Sequence, residues 1–184
     1  MEQQVLSSAL NSREFRNAVG HFATGITVVT TEHAGIVHGM TANAFMSVSL
    51  NPPLVLVSVD QRTHMHSLLA QGRFYGVNIL ARDQELLSRH FAGRPQEDLT
   101  ITFVWKHGVP LITGSIAHLV CEIVEAHPAG DHTLYIGHVE YLDYRGGSPL
   151  LYYTGRYAAL QQSTMTDEVF WLDYTLYAER GLGA

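Results

Sequence analysis

The sequence predicts a mainly β domain, a closed antiparallel barrel with helices packed against its outside. About eight short segments have the β-branched composition or the alternation that is typical of strands. Most links between them are short and contain Gly, Pro, Asn or Asp, as hairpin turns do. Only two or three segments have helical periodicity, and no segment repeats. Many short strands and few helices favour a barrel over a layered α/β fold.

Bulk composition limits the class of function. The chain has 184 residues, enough for one domain with a substantial core. Its formal net charge is −6 and no Lys/Arg cluster is present, which argues against nucleic acid and anionic membranes as partners. No apolar stretch approaches the about 20 residues that span a membrane, and the N-terminus lacks the apolar region of a signal peptide. The single cysteine, Cys121, excludes an intramolecular disulfide, so we expect a cytoplasmic protein.

The first predicted element is an amphipathic helix over residues 12–23. Asn11 and Glu14 have the spacing of a capping box, and Phe15, Val19 and Phe22 follow at helical intervals. Residues 26–31 then read as a strand, and residues 32–35 as a hairpin turn.

The most informative stretch is residues 41–50, which alternate strictly as a strand does. The even positions are apolar and are predicted to face the core. The odd positions carry hydroxyls, an amide and one aromatic ring, without any charge, which suits a flat, polar, neutral ligand. A dimer interface or a plain exposed face explains the odd positions equally well. These positions are Thr41, Asn43, Phe45, Ser47 and Ser49.

A possible phosphate site follows this stretch. Residues 54–59 form an apolar run that predicts a strand buried on both faces. Thr63 then caps a helix that ends at Gly72, with Arg62 beside its first turn. A helix N-terminus together with an arginine can bind a phosphate. An ordinary capped surface helix is the alternative.

The rest of the chain continues the β pattern. Residues 161–184 carry apolar and aromatic residues at helical spacing, so we expect them to form an extension of the 1–160 domain that docks on the barrel or on a second subunit. A helix is expected over residues 83–91 and a short connector over 109–111. Strands are expected over residues 74–80, 100–105, 115–126, 133–144 and 150–153.

Few residues are candidates for direct chemistry. The sequence has no GxSxG, P-loop or GxGxxG motif. His64 and His66 lack a third ligand at a telling spacing, so no metal site is predicted. Cys121 lies among apolar residues and is interpreted as a core residue. A Gly-Asp turn places His132 at the mouth of a hairpin, where it could contact a substrate or exchange a proton, or simply be a surface turn histidine.

Taken together, the chain resembles the short-chain flavin reductases, the reductase components of two-component flavin monooxygenases. The resemblance covers about residues 15–160 and includes six blocks in the order found in the family. These are FRNAVGHFATGITVVTT, HGMTANAFMSVSLNPPLVLVSVD, VNIL, HFAG, AGDHTLYIGHVE and PLLYYTGRY.

The resemblance implies a six-stranded FMN-binding split barrel that works as a homodimer. It implies a flavin held along residues 41–48, with its phosphate end near the start of the helix that Thr63 caps. It implies a nicotinamide nucleotide near His132 and residues 153–156. The implied flavin contacts are Thr41, Ala42, Asn43, Ala44, Phe45, Ser47, Val48, Ser58, Arg62, Thr63, His64 and Phe91, and the implied nucleotide contacts are His132, Tyr153, Gly155 and Arg156.

The implied reaction is hydride transfer from NADH or NADPH to FMN or FAD, with reduced flavin diffusing to a separate monooxygenase. His132 is the one candidate catalytic residue. Many relatives have a lysine where this chain has His64, which leaves the choice between FMN and FAD open. A flavin-binding barrel without turnover is the main alternative. An oxidase of the pyridoxamine-phosphate type would need a stronger basic cluster than this chain offers.

Overall fold

The computed structural model describes residues 11–160, which contain three helices and twelve strands. The predicted extension, residues 161–184, lies outside the described residues. The helices are α1 (Ser12–Val19), α2 (His64–Gln71) and α3 (Glu85–Phe91). The strands are β1 (Thr24–Gly25), β2 (Thr27–His33), β3 (Ile36–Ala42), β4 (Phe45–Leu50), β5 (Pro53–Asp60), β6 (Phe74–Ile79), β7 (Phe103–Lys106), β8 (Val109–Ile112), β9 (Ala117–Ala129), β10 (His132–Tyr144), β11 (Leu151–Tyr153) and β12 (Arg156–Ala158).

Seven strands form one antiparallel sheet in the order β3-β2-β6-β9-β10-β5-β4. The two end strands, β3 and β4, follow each other in sequence, yet no strand ladder joins them within residues 11–160. The antiparallel β architecture and the split barrel that the resemblance implied are therefore confirmed, although the main sheet has seven strands rather than six. The closed barrel that the strand pattern alone predicted was wrong. Two small sheets, β1-β11-β12 and β7-β8, lie beside it.

The main core cluster fills the inside of this sheet and is covered by α2. Val57, Tyr75 and Tyr135 from three strands pack there with Met65 and Leu69 of α2, and all five are at most 3% exposed. Cys121 belongs to the same cluster and is fully buried, as predicted. Burial raises the pKa of its thiol to about 12, so Cys121 is a core residue rather than a nucleophile.

A second cluster lies beneath α3. Ile26, Leu80 and Leu150 form its buried centre, and Leu87 and Phe91 of α3 pack against it. Both α2 and α3 contact β3, the strand at one edge of the seven-stranded sheet.

The prediction for residues 41–50 was wrong in two respects. The chain bends at residues 43–44, so β3 and β4 are separate strands, and β4 has a bulge between Ser47 and Ser49. The even positions Met46, Val48 and Leu50 are 57%, 48% and 94% exposed, whereas Phe45 packs against the main core. Period two persists through a straight strand only, and the bend exchanges the two faces.

Smaller differences concern boundaries. Helix α1 ends at Val19, because the following amides of His21 and Phe22 donate to carbonyls three residues back, those of Ala18 and Val19, rather than four. The expected connector at 109–111 is strand β8, paired with β7, which begins at Phe103. Strand β5 buries one face fully and the other only in part, and β9 continues to Ala129 rather than 126.

Candidate functional site

A large cleft lies between α1, the bend at residues 43–44 and the β11–β12 hairpin. Its volume is about 840 Å³, within the usual range of small-molecule sites, about 300–1,000 Å³. Asn43, Ala44 and Phe45 form one wall, and Tyr152 and Gly155 form another. Arg16 of α1 is the one charged residue among the residues that line it. We call this space the first cleft.

The bend is held by hydrogen bonds on both of its sides. The Thr27 hydroxyl donates to the Ala42 carbonyl at 2.8 Å, and the Ser58 amide donates to the Ala44 carbonyl at 3.0 Å. The Thr41 hydroxyl donates to the Ser88 carbonyl of α3 at 2.7 Å. Thr41 and Ala42 therefore support the bend from behind, while the exposed Asn43 and Ala44 face the first cleft.

Of the twelve flavin contacts that the resemblance implied, the first cleft brings three together: Asn43, Ala44 and Phe45. Ser47 and Val48 are exposed on β4 but do not line it. Phe91 lies at the end of α3 and packs against the second core cluster.

The predicted helix cap is confirmed. The Thr63 hydroxyl accepts the His66 amide at 3.2 Å and donates to the Asp60 carbonyl at 2.7 Å. The Arg62 guanidinium is 82% exposed and is paired with the Asp60 carboxylate, Nη2 to Oδ2 at 2.6 Å. Hydrogen bonds from Arg62 hold the pKa of that carboxyl well below its usual range. A phosphate at Arg62 would therefore share this guanidinium with Asp60.

Two histidine rings meet beside this helix start. His64 and His38 contact edge to face, with 5.0 Å between ring centroids. Partial burial, and then the neighbouring His64, lower the pKa of His38. Both imidazoles carry ring nitrogens that can hydrogen-bond a phosphate, and the lowered pKa of His38 reduces the positive charge that this ring can supply.

His132 is the first residue of β10, at the mouth of the predicted hairpin, where Gly130 has φ +64°. Its Nδ1 donates to the Asp131 carboxylate at 2.7 Å, which leaves Nε2 as the outward nitrogen. This hydrogen bond lowers the pKa of the Asp131 carboxyl. His132 pairs in register with Asp60, so it lies near Arg62 rather than in the first cleft.

The predicted nucleotide segment forms the β11–β12 hairpin. Tyr153 is exposed and contacts the His21 ring edge on, at 6.1 Å between centroids. Gly155, with φ +78°, lines the first cleft and also a second cleft of about 530 Å³. Arg156 lines only the second cleft, together with Arg89 and Arg94.

Sequence reasoning missed the residues that α3 contributes. Arg89 and Arg94 flank the HFAG block, five residues apart across a helix end closed by Gly93, and this spacing could have indicated a shared surface. It also missed Arg16 and Tyr152 of the first cleft, whose positions depend on tertiary packing.

Two general findings complete the geometry. Between residues 11 and 160, no three His, Cys, Asp or Glu side chains are grouped so that they could hold a metal ion. None of α1, α2 and α3 has the length and apolarity needed to cross a membrane.

Comparison with known proteins agrees with this geometry. An NADH-dependent flavin reductase from Rhodococcus sp. is 53% identical over 149 residues, covering 79% of this chain and 85% of that protein. The reductase component of a 4-nitrophenol 4-monooxygenase/4-nitrocatechol 2-monooxygenase from Rhodococcus opacus is 36% identical over 159 residues, covering 85% of each. The solved structure of the flavin reductase PheA2 in its native state has a TM-score of 0.81 and 48% identity, covering 83% of this chain and all of that one.

The family model for the flavin reductase like domain matches residues 19–161, most of the chain and nearly all of the described fold. It includes the bend, the start of α2, the His132 hairpin and the β11–β12 hairpin. The chain therefore belongs to the family of proteins with a flavin reductase like domain.

Proposed function

We propose that this protein is a flavin reductase that transfers a hydride from NADH or NADPH to FMN or FAD. The observation that carries the proposal is the first cleft, whose wall at Asn43–Phe45 is uncharged, fixed by backbone hydrogen bonds and open to solvent. A flat, neutral, polar ring system fits such a wall. The name of the Rhodococcus relative supports NADH as the donor.

The bound cofactors supply the redox chemistry, hydride transfer from C4 of the nicotinamide to N5 of the flavin. The chain has to bind and orient the two rings at near-attack distance, roughly 3–3.5 Å. Asn43 and the backbone of the bend hold one ring, and the β11–β12 hairpin with Gly155 limits the position of the other. Phe45, packed on the main core, keeps this wall rigid.

The remaining predicted contacts take supporting positions. Arg62, Thr63 and His64 bind the flavin's phosphate end, and Ser58 fixes the bend through its amide. His132 contacts the nicotinamide nucleotide through Nε2, with Asp131 fixing its orientation. Tyr153 and Arg156 contact the same nucleotide.

The exposed apolar surface supports a homodimer. Large apolar side chains are exposed in the single chain on β4, on α1 and at the first cleft: Met46, Val48, Leu50, Phe15 and Phe22. Edge strands with such residues are normally covered. Residues 161–184 dock on the barrel or on this partner subunit. Light scattering of the full chain tests the first statement, and urea denaturation of the full chain and of a chain ending at Leu160 tests the second. A monomeric full chain would contradict the first, and equal stability of the two chains the second.

Reduced flavin leaves by diffusion and serves a separate monooxygenase, as the name of the Rhodococcus opacus relative suggests. We place the protein in the cytoplasm, where its single, buried cysteine needs no oxidising environment. A flavin-binding barrel without turnover remains the competing function.

The deciding experiment mixes the purified protein with NADH or NADPH and free FMN or FAD and follows the loss of nicotinamide absorbance. We expect oxidation that depends on both flavin and protein. Flavin binding without oxidation of either nucleotide would favour the competing function and refute the reductase.

A further inference from the structure

The second cleft concentrates positive charge on a chain that is negative overall. Three of the eleven Lys and Arg residues, Arg89, Arg94 and Arg156, line it, with Glu85 as the one acidic residue. The formal charge of the chain is −6, so this cleft is a local exception. Arginine clusters of this kind bind phosphate groups through pairs of N–H donors.

The three arginines are not equivalent. Arg89 is paired with Glu85, Nη2 to Oε1 at 2.6 Å, and its guanidinium lies 4.8 Å from the Tyr157 ring centroid. Its charge is therefore already compensated. Arg94 and Arg156 make no ion pair with any residue between 11 and 160. They are the two guanidinium groups that a ligand can use.

Both arginines stand on backbone that is already fixed. The Arg94 amide donates to the Arg89 carbonyl at 3.1 Å, and the Gln96 amide donates to His90 Nδ1 at 3.1 Å, which closes the turn after α3. Arg156 follows the tight Thr154–Gly155 turn, whose Thr154 amide donates to the Gly20 carbonyl at 2.8 Å.

A direct contact ties the two sides of the cleft together. The hydroxyl groups of Tyr157 and Ser88 are 3.0 Å apart, which joins the β11–β12 hairpin to α3. The backbone segments that carry Arg94 and Arg156 are therefore held together across the cleft before a ligand arrives. Preorganised donors lower the cost of binding.

The second cleft also adjoins the first. Tyr152 and Gly155 line both, so a molecule with its ring in the first cleft can continue past Gly155 into the second. No atom of a residue beyond its two chain neighbours lies within 4 Å of the place where a Cβ on Gly155 would stand. No side chain therefore fills the space beside Gly155, where the two clefts adjoin. A dinucleotide has this shape, a redox ring linked through two phosphates to an adenosine.

We propose that Arg94 and Arg156 bind the diphosphate of a dinucleotide whose redox ring occupies the first cleft. The choice of ligand rests on the proposed function, whereas the site itself rests on the arginine geometry. FAD and the nicotinamide nucleotide share this diphosphate, and FMN lacks it. The two arginines thus give affinity for dinucleotides that FMN does not receive.

Calorimetric titration with ADP tests the site without turnover. The variants are Arg94→Gln and Arg156→Gln, and the matched control is Arg82→Gln, an exposed arginine outside both clefts. We expect ADP to bind the native protein and the control equally, and each variant roughly tenfold more weakly at low salt. Circular dichroism checks that the variants are folded.

Parallel titrations with FAD, FMN and NADH identify the source of the diphosphate. Weaker binding of NADH alone assigns the cleft to the nicotinamide nucleotide and leaves the flavin's phosphate end at Arg62, Thr63 and His64. Weaker binding of FAD alone assigns the cleft to the flavin and contradicts that placement of its phosphate end. Unchanged ADP affinity in both variants, or FMN weakened as much as the dinucleotides, would overturn the inference. ADP binding by a protein that never oxidises NADH would refute the proposed function and leave this site standing.

Discussion

Gly39 lies on β3 directly under the Phe91 ring, and its replacement by alanine tests how α3 is seated. A Cβ at this position would stand 2.5 Å from both Cδ1 and Cε1 of Phe91, well inside van der Waals contact. The ring cannot simply move aside, because it packs against the second core cluster and contacts His90 at 5.0 Å between centroids. Gly39→Ala therefore forces α3 away from β3.

The expected size of the effect follows from two opposing contributions. Overpacking of a well-packed site costs about 1–3 kcal/mol. Replacing a strand glycine whose φ suits alanine stabilises the protein by about 0.4–1 kcal/mol, because alanine lowers the conformational entropy of the unfolded chain. Gly25→Ala isolates the second contribution, because nothing lies within 4 Å of its Cβ position. We expect Gly39→Ala to be less stable than Gly25→Ala by about 1–3 kcal/mol, or about 2–4 °C in Tm per kcal/mol.

Urea denaturation of both variants measures this difference. A second measurement is the double variant Gly39→Ala with Phe91→Leu, in which the smaller side chain should recover part of the loss through a favourable coupling energy. Since Phe91 is a predicted flavin contact, Gly39→Ala should also weaken flavin binding. Equal stability of Gly39→Ala and Gly25→Ala would refute the assigned packing of α3 on β3.

Three further outcomes are expected. Asn78→Leu should lower the free energy of unfolding, measured by urea denaturation, by about 2–4 kcal/mol. The fully buried Asn78 side chain accepts a hydrogen bond from the Ile112 N–H at 2.6 Å and donates one to the Val28 carbonyl at 2.8 Å, and leucine can do neither. A loss below about 1 kcal/mol would contradict this. His132→Ala should raise the KM for NADH more than the KM for flavin in steady-state assays, and equal changes would remove its proposed role. Arg62→Ala should weaken flavin binding more at low than at high salt, whereas a loss independent of salt would exclude a phosphate contact.

The sequence predicted the class of fold because its signals are local. The β-branched run before Asp60, the cap at Thr63 and the Gly130 turn each depend on a few neighbouring residues, and all three occur as expected. The order of the seven strands does not follow from local signals, since β2 pairs with β6 and β10 pairs with β5 across long stretches of chain.

The errors have a common physical cause. The alternation at residues 41–50 describes only the chemical character of successive side chains, and it predicts two faces only if the strand is straight. The bend at residues 43–44 is fixed by hydrogen bonds from Thr27 and Ser58, which lie outside this stretch. Strand β8 was missed because Pro110 suggested a connector, although its carbonyl accepts the Thr30 hydroxyl at 2.5 Å and its strand packs into the core.

The candidate site likewise contains residues that the sequence could select and residues that only the fold brings together. The alternation selected Asn43 and Phe45 among its uncharged odd positions, whereas Ala44 fell in the even, core-facing set and was a candidate only through the resemblance. The second wall of the first cleft comes from Tyr152 and Gly155, more than one hundred residues later. Only the folded chain shows that these segments meet, and that Arg94 and Arg156 line one cleft beside them.

Flavin binding at the bend is the central claim, and anaerobic reduction of flavin by NADH tests it most directly. The native protein should bleach the absorbance of added FMN or FAD when NADH is mixed in. Ala44→Trp, which fills the first cleft, should abolish this reduction and flavin binding together while the Gly25→Ala protein retains both. Undiminished flavin reduction by a folded Ala44→Trp protein would contradict the placement of the flavin in this cleft.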